Sequence, residues 1–320
     1  MIFLPTIYEH AATLIGKTPS QTAQSAELLA QGQLMAHHLY GHKLISVGLD
    51  IYNTEAEALG AQMIYYEDDN LPAVKDIVFP NRAAFERRVL PNPETSGRMP
   101  VMLKTADLIA AQVAKDVVVS GSVTGPFTLA AILRGFEEFT MDLIDDIDFA
   151  IEQLEFAAQI SSEYAGAFMR RGHAAALNDS WIAPPLLSPR LYREHVFPLH
   201  KRIIGELLQK WGRPVSLICG GNVSAIASEM ARTGTTLLMA DWNSDRKLMA
   251  KLCAEHDITL RASVEPSLLE RGDKDEMKRC AEVIARDCGG YPRTVVGCGI
   301  VTFATPPESV LAFRDIVAAL

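Results

Sequence analysis

Short apolar runs, rich in β-branched residues and separated by longer stretches of helical spacing, recur along this 320-residue chain and constrain its fold more than any other feature. Runs at Leu44 to Leu49, Val117 to Gly121, Ala174 to Asn178, Val215 to Cys219, Thr236 to Ala240, Ile258 to Val264 and Thr294 to Val296 read as buried parallel strands, which are apolar on both faces because helices cover both. Between them, the stretch from Leu143 to Arg170 sets Ile147, Ile151, Leu154 and Ala158 three and four residues apart, and Gly172 ends it. Ser188-Pro189 predicts a capped helix start, and Thr305-Pro306-Pro307-Glu308 predicts a capping box. Parallel strands need helical crossovers, so the pattern predicts one domain over residues 1–320, a single (β/α)8 TIM-like barrel of the α/β class. A doubly wound open sheet is the alternative. The least regular stretch, 72–99, carries Pro80, Pro91, Pro93 and Gly97 and reads as an insertion over the barrel mouth.

Composition narrows the function. A net charge of −9 with no basic stripe argues against a nucleic-acid-binding surface, because phosphate backbones are held by clustered Lys and Arg. No apolar run approaches the ~18 residues of a membrane span, and Ile2-Phe3-Leu4-Pro5 follows Met1 without a basic leader, so the expectation is a cytoplasmic protein. Five cysteines, odd in number and confined to the last third, fit reduced thiols better than a disulfide framework. Nothing in the sequence excludes a homo-oligomer.

In a barrel, ligands bind where strands give way to the loops that follow them. Asp50 and Asn53, Ser120 and Ser122, Asn178 and Asp179, Cys219, Asp241, Glu265 and Cys298 all fall at such places. Cys219 precedes Gly220-Gly221 and Cys298 sits between Gly297 and Gly299; glycine beside a thiol permits close approach by a ligand, and cysteine there can be a soft metal ligand or a nucleophile. The acids have a second reading as helix caps or loop braces. Of the histidines, His37, His38, His42, His195, His200 and His256 fall on presumptive helices or their exits, and His173 precedes a strand, at the wrong barrel end for catalysis.

Three segments carry a family resemblance. Gly121-Ser122-Val123-Thr124-Gly125-Pro126-Phe127, followed by Gly135-Phe136-Glu137-Glu138-Phe139, then Asn178-Asp179-Ser180-Trp181 with Leu187-Ser188-Pro189, and Glu55-Ala56-Glu57-Ala58-Leu59-Gly60 after Asp50, together resemble the uroporphyrinogen decarboxylase superfamily and, within it, its cobalamin-dependent methyltransferase branch. That resemblance implies a TIM-like barrel, a zinc ion, and a corrinoid presented by a partner corrinoid protein to a small methyl donor or acceptor. Cys219 falls where that branch has the cysteine of a His-x-Cys zinc motif, and Cys298 where it has a further zinc-binding cysteine. Leu217 replaces the motif's histidine, and leucine cannot ligate. Glu265, Asp241 and His10 are the candidates for a third donor. The decarboxylases' N-terminal arginine motif has no counterpart, since the first arginine of the chain is Arg82 and the corresponding place reads Phe3-Leu4-Pro5-Thr6-Ile7-Tyr8-Glu9-His10. Two other readings stand beside methyl transfer: a decarboxylase-like enzyme using Asp50 and Asp179 as acid and base on a smaller substrate, and a non-catalytic subunit that only docks a corrinoid protein or ligand.

Overall fold

A computed structural model describes residues 1–320. Eight parallel strands occur in chain order: β1 (Ile2–Phe3), β2 (Leu44–Val47), β3 (Val118–Thr124), β4 (Ala174–Asn178), β5 (Val215–Ile218), β6 (Leu237–Ala240), β7 (Thr259–Val264) and β8 (Thr294–Cys298). Each pairs with its neighbour in sequence from β2 to β8, and β8 pairs in turn with β1. The sheet therefore curls into a (β/α)8 barrel whose ladder is interrupted only between β1 and β2. Just above β8 and β1, Ile300–Val301 pairs with Thr6–Ile7 and continues that wall toward the mouth.

Seven of these strands are the seven apolar runs. The eighth, Ile2–Phe3, is two residues long, too short for a run or an alternation to mark it. The expected helix from Leu143 breaks at Asp146, whose carboxylate accepts from the Phe149 amide and caps a new helix, Ile147–Arg170. Ser188 caps as expected, accepting from the Leu191 amide. The predicted capping box at Thr305 does not form: the helix Pro307–Ala318 starts from Pro306, and the Thr305 hydroxyl pairs instead with that of Thr302. Segment 72–99 touches the mouth at both ends, through the Pro72 carbonyl, which accepts from Asn53, and through Arg98. Between these ends it lies along the flank, where Phe79 and Phe85 are buried edge-to-face against Phe156 of the long helix.

Strand alternation divides the interior into two compartments. Outward positions such as Val215, Leu217, Leu238, Leu260 and Val296 are fully buried under the helices and belong to one continuous apolar core. Several inward positions on β2 to β5 are small: Ser46, Ser120, Ala176 and Ser216 line the interior beside the larger Leu44 and Ile218. TIM barrels commonly fill this space with layers of bulky branched side chains. Here it is left hollow.

Candidate active site

The hollow opens at the C-terminal ends of the strands as a cavity of about 350 Å³. Its wall draws on every strand or the turn that follows it, including Thr6 and Tyr8 after β1, Tyr52 after β2, Asn178 and Ser180 at the end of β4, Asp241 and Trp242 after β6, and Ile300 after β8. Most of its polar groups are already oriented. Tyr8 Oη and Ser122 Oγ share a hydrogen bond of 2.9 Å, and the Tyr52 hydroxyl donates to Ser180 Oγ at 2.7 Å, which also accepts from the Gly220 amide. Asp241 accepts from the Gly221 and Trp242 amides at 2.7 and 2.9 Å, so its carboxylate is fixed at the rim by backbone donors. Burial pushes the phenols of Tyr8 and Tyr52 up from their ordinary values, which keeps both as neutral donors at physiological pH.

Of the residues singled out from the sequence, Ser120, Asn178 and Asp241 line this cavity. Asp50 and Asp179 lie behind its wall, each with its oxygens engaged. Arg98 grips Asp50 in a two-pronged pair at 2.9 and 2.6 Å, and also bonds Glu57, so the end of segment 72–99 is pinned to the exit of β2. Asp179 receives four donors: the Phe127 and Thr128 amides, the Thr128 hydroxyl and His200 Nε2 at 2.9 Å. It thereby caps the helix Pro126–Arg134 and ties it to the helix carrying His200. The approach is so close that a Cβ on Gly125 would stand 2.4 Å from the Cβ of Asp179, which is why the Gly125-Pro126-Phe127 loop needs its glycine.

Cys219, Cys298 and Glu265, the proposed metal ligands, form no cluster of three metal-binding side chains. Cys219 shares the outward face with Val215 and Leu217, is fully buried in the apolar core, and its thiol donates to the Gly220 and Ser180 carbonyls. Cys298 is likewise fully buried on the outward face, since the adjacent Gly297 packs inward against Arg261. Burial drives both thiols up, Cys298 to about 11 and Cys219 well above its ordinary value. Their strands, β5 and β8, stand three places apart in the sheet. Glu265 is exposed and lines a different depression, with Arg246 and Arg279. His10 is held between the Thr302 carbonyl and the Tyr40 hydroxyl, with burial lowering it to about 4. No group of three or more His, Cys, Asp and Glu side chains could hold a metal ion. The residues present do not fit a zinc centre of the His-Cys-Cys kind, since Leu217 stands where the histidine would be.

Three cavity residues, Tyr8, Tyr52 and Trp242, escaped the sequence reading, as did Arg261, which is buried behind them on β7. The first three lie in loops whose shape sequence does not give. Arg261 did leave a signal, a lone cation in the middle of an apolar strand.

A family model described as uroporphyrinogen decarboxylase (URO-D) matches residues 4–320. The chain belongs to that family. Among its relatives, a methylcobamide:CoM methyltransferase, MtbA, of Methanosarcina mazei is 26% identical over 286 residues, covering 89% of this chain and 82% of the relative. A uroporphyrinogen decarboxylase of Prochlorococcus marinus is 27% identical over 209 residues, covering 62% of this chain and 59% of that protein. In three dimensions, a methyltransferase from Methanosarcina mazei superposes with a TM-score of 0.87 at 24% identity, covering 98% of this chain and 91% of that one, and so shares the fold. No helix of this family member is long and apolar enough to cross a membrane, and all five of its cysteines are free.

Proposed function

We propose that this protein moves a methyl group between a corrinoid, carried on a separate protein that docks at the barrel mouth, and a small thiol or methyl-heteroatom compound held in the cavity. The cavity itself carries the reading. At about 350 Å³ it stands near the lower end of the roughly 300–1,000 Å³ range of small-molecule sites, which suits a compact substrate and leaves a tetrapyrrole outside. Methylcobamide:CoM methyltransferase relatives that cover 89% and 93% of this chain support the same choice. So does the stretch Phe3 to His10, which offers no arginine fork for the carboxylates of a porphyrinogen. Two exposed apolar residues stand at the cavity, Trp242 47% and Ile300 37% exposed, a surface suited to a docking partner.

In the thiol-methylating direction, sulfur attacks the cobalt-bound methyl carbon, the Co–C bond breaks with its electron pair passing to cobalt, and the products are a methyl thioether and Co(I). The chain's contribution is placement and proton management. Asp241 is the cavity-lining carboxylate and the natural acceptor for the thiol proton, while the Tyr52–Ser180 and Tyr8–Ser122 pairs orient polar groups of the substrate. Asp50 and Asp179 enter as positioning residues that hold the rim in shape. The test is a methyl-transfer screen with methylcobalamin and a panel of small thiols, reading thioether by mass and Co(I) by absorbance. Transfer that falls at least tenfold in Asp241→Asn, about 1.4 kcal/mol of barrier, is expected. Tight binding of a corrinoid protein with no transfer to any thiol would replace this reading with that of a docking subunit.

A further inference from the structure

The barrel is hollow at its other end as well. A second cavity, of about 330 Å³, opens at the N-terminal ends of the strands, and the first or second residue of every strand lines it, from Ile2 on β1 to Val295 on β8. Four of its residues, Leu44, Ser120, Ser216 and Leu237, also line the mouth cavity and so form the partition between the two. In TIM barrels this end serves stability, with the interior packed by layers of bulky branched side chains. Here Ala174 on β4 and Pro214 ahead of β5 leave space, and Ile2 and Val118 on the cavity wall are 64% and 38% exposed.

An apolar hollow that the chain does not fill costs stability, because its lining atoms lose contacts on one side. Apolar cavities of about 150 Å³ stay dry and take up small apolar molecules. The chemistry of this wall selects among occupants. Lys43 and Arg293 are its only charged residues, and each already faces an acid, Asp116 at 2.9 Å and Asp257 at 2.6 Å, so the wall offers no free charge to an ion. The Thr236 and Thr259 hydroxyls are engaged too, the first donating to the Val215 carbonyl and the second accepting from Arg293. At the partition the wall turns polar in a different way: the Ser120 and Ser216 hydroxyls, on the two strands that flank β4, bond no other protein group. A ligand that fits this wall is uncharged, apolar over most of its surface and polar at one end.

We propose that the floor of the barrel is a second small-molecule site, taking a compact uncharged molecule with an apolar body and one hydrogen-bonding group, such as an alcohol, which enters from the N-terminal face and sets its polar end against Ser120 and Ser216. The site lies across the partition from the mouth cavity and does not depend on which group is transferred there.

The test is calorimetric titration of the purified chain with benzyl alcohol, toluene and benzoate, on wild type, Val118→Phe, Ala174→Leu and the double variant Ser120→Ala with Ser216→Ala. Val118 and Ala174 line the floor and not the mouth cavity, so the first two variants fill this site alone. Wild type is expected to bind benzyl alcohol at millimolar concentration and benzoate roughly tenfold or more weakly, because the carboxylate would enter an apolar hollow unpaired. Each filling variant is expected to lose roughly tenfold or more in benzyl alcohol affinity, by occupying the volume the ring needs. Removing the two hydroxyls should weaken benzyl alcohol about 3- to 10-fold and leave toluene unchanged, the loss of an ordinary hydrogen bond. The ligand-free Val118→Phe protein should melt no lower than wild type, since the new ring replaces void, and saturating benzyl alcohol should raise the melting temperature of wild type and not of the variant. Failure of both benzyl alcohol and toluene to bind wild type, or benzoate binding as tight as that of benzyl alcohol, overturns the proposal without any variant. Benzyl alcohol binding equally well to wild type and to the filling variants overturns it too, because the ligand then sits elsewhere.

Discussion

Replacing Leu217 by histidine restores, on paper, the missing member of a His-x-Cys motif, and the structure gives a definite expectation for it. Leu217 and Cys219 do share a face, but that face looks outward into the core beneath the helices, where both are fully exposed to apolar neighbours and not at all to solvent. The substitution removes a fully buried leucine side chain, costing about 1.5–3 kcal/mol of apolar burial. It also places an imidazole in the apolar layer, a further ~1–3 kcal/mol. Leu217→His should therefore lose roughly 3–5 kcal/mol out of the ~5–15 kcal/mol typical of a domain. Urea unfolding followed by circular dichroism measures the loss, and elemental analysis of the dialysed protein measures zinc. The expected result is a large fall in the urea midpoint with no gain in zinc. A variant of unchanged midpoint that takes up about one zinc per chain would refute the reasoning, because it would require residues 217 and 219 to face a common polar site.

Glu55 offers a pH test. It is fully buried, one oxygen accepts from the Thr124 amide at 2.7 Å, the other has no partner, and burial pushes its carboxyl from 4.5 to about 7. A carboxyl raised on folding contributes stability that is complete below about 4.5 and lost as pH rises through about 7, so Glu55→Gln should match wild type at low pH and exceed it by about 3 kcal/mol above pH 7, read by thermal or urea unfolding across the range. Wild type and variant with parallel pH profiles would count against this. Cys298→Ser should cost about 1–2 kcal/mol for a hydroxyl in the apolar layer while leaving methyl transfer from methylcobalamin unchanged, and a loss of transfer without a loss of stability would place the thiol in the site.

How much of this was legible in the chain depends on which face of which strand is asked about. The strands themselves were visible because a parallel strand buried on both sides is apolar throughout, but that same property hides which alternate residues point to the barrel axis. Cys219 and Cys298 were correctly placed at strand ends, one just past β5 and one closing β8. Their side was not readable from hydrophobicity. The small polar residues were the better guide, since Ser216 lies between Val215 and Leu217 and lines the hollow, leaving Cys219 on the opposite parity. Asp50 and Asp179 carried the right chemistry for acid–base work, and only their distant partners, Arg98 and the 127–128 amides with His200, reveal that the structure uses them to hold the rim. Long-range pairing of this kind leaves no local pattern. A cation in an apolar strand does leave one. Arg261 sits in Leu260-Arg261-Ala262-Ser263-Val264 with no acid at the strand positions beside it, Leu238 to Ala240 on β6 and Thr294 to Cys298 on β8, so a buried charge without a neighbouring counter-charge was legible in the strand itself.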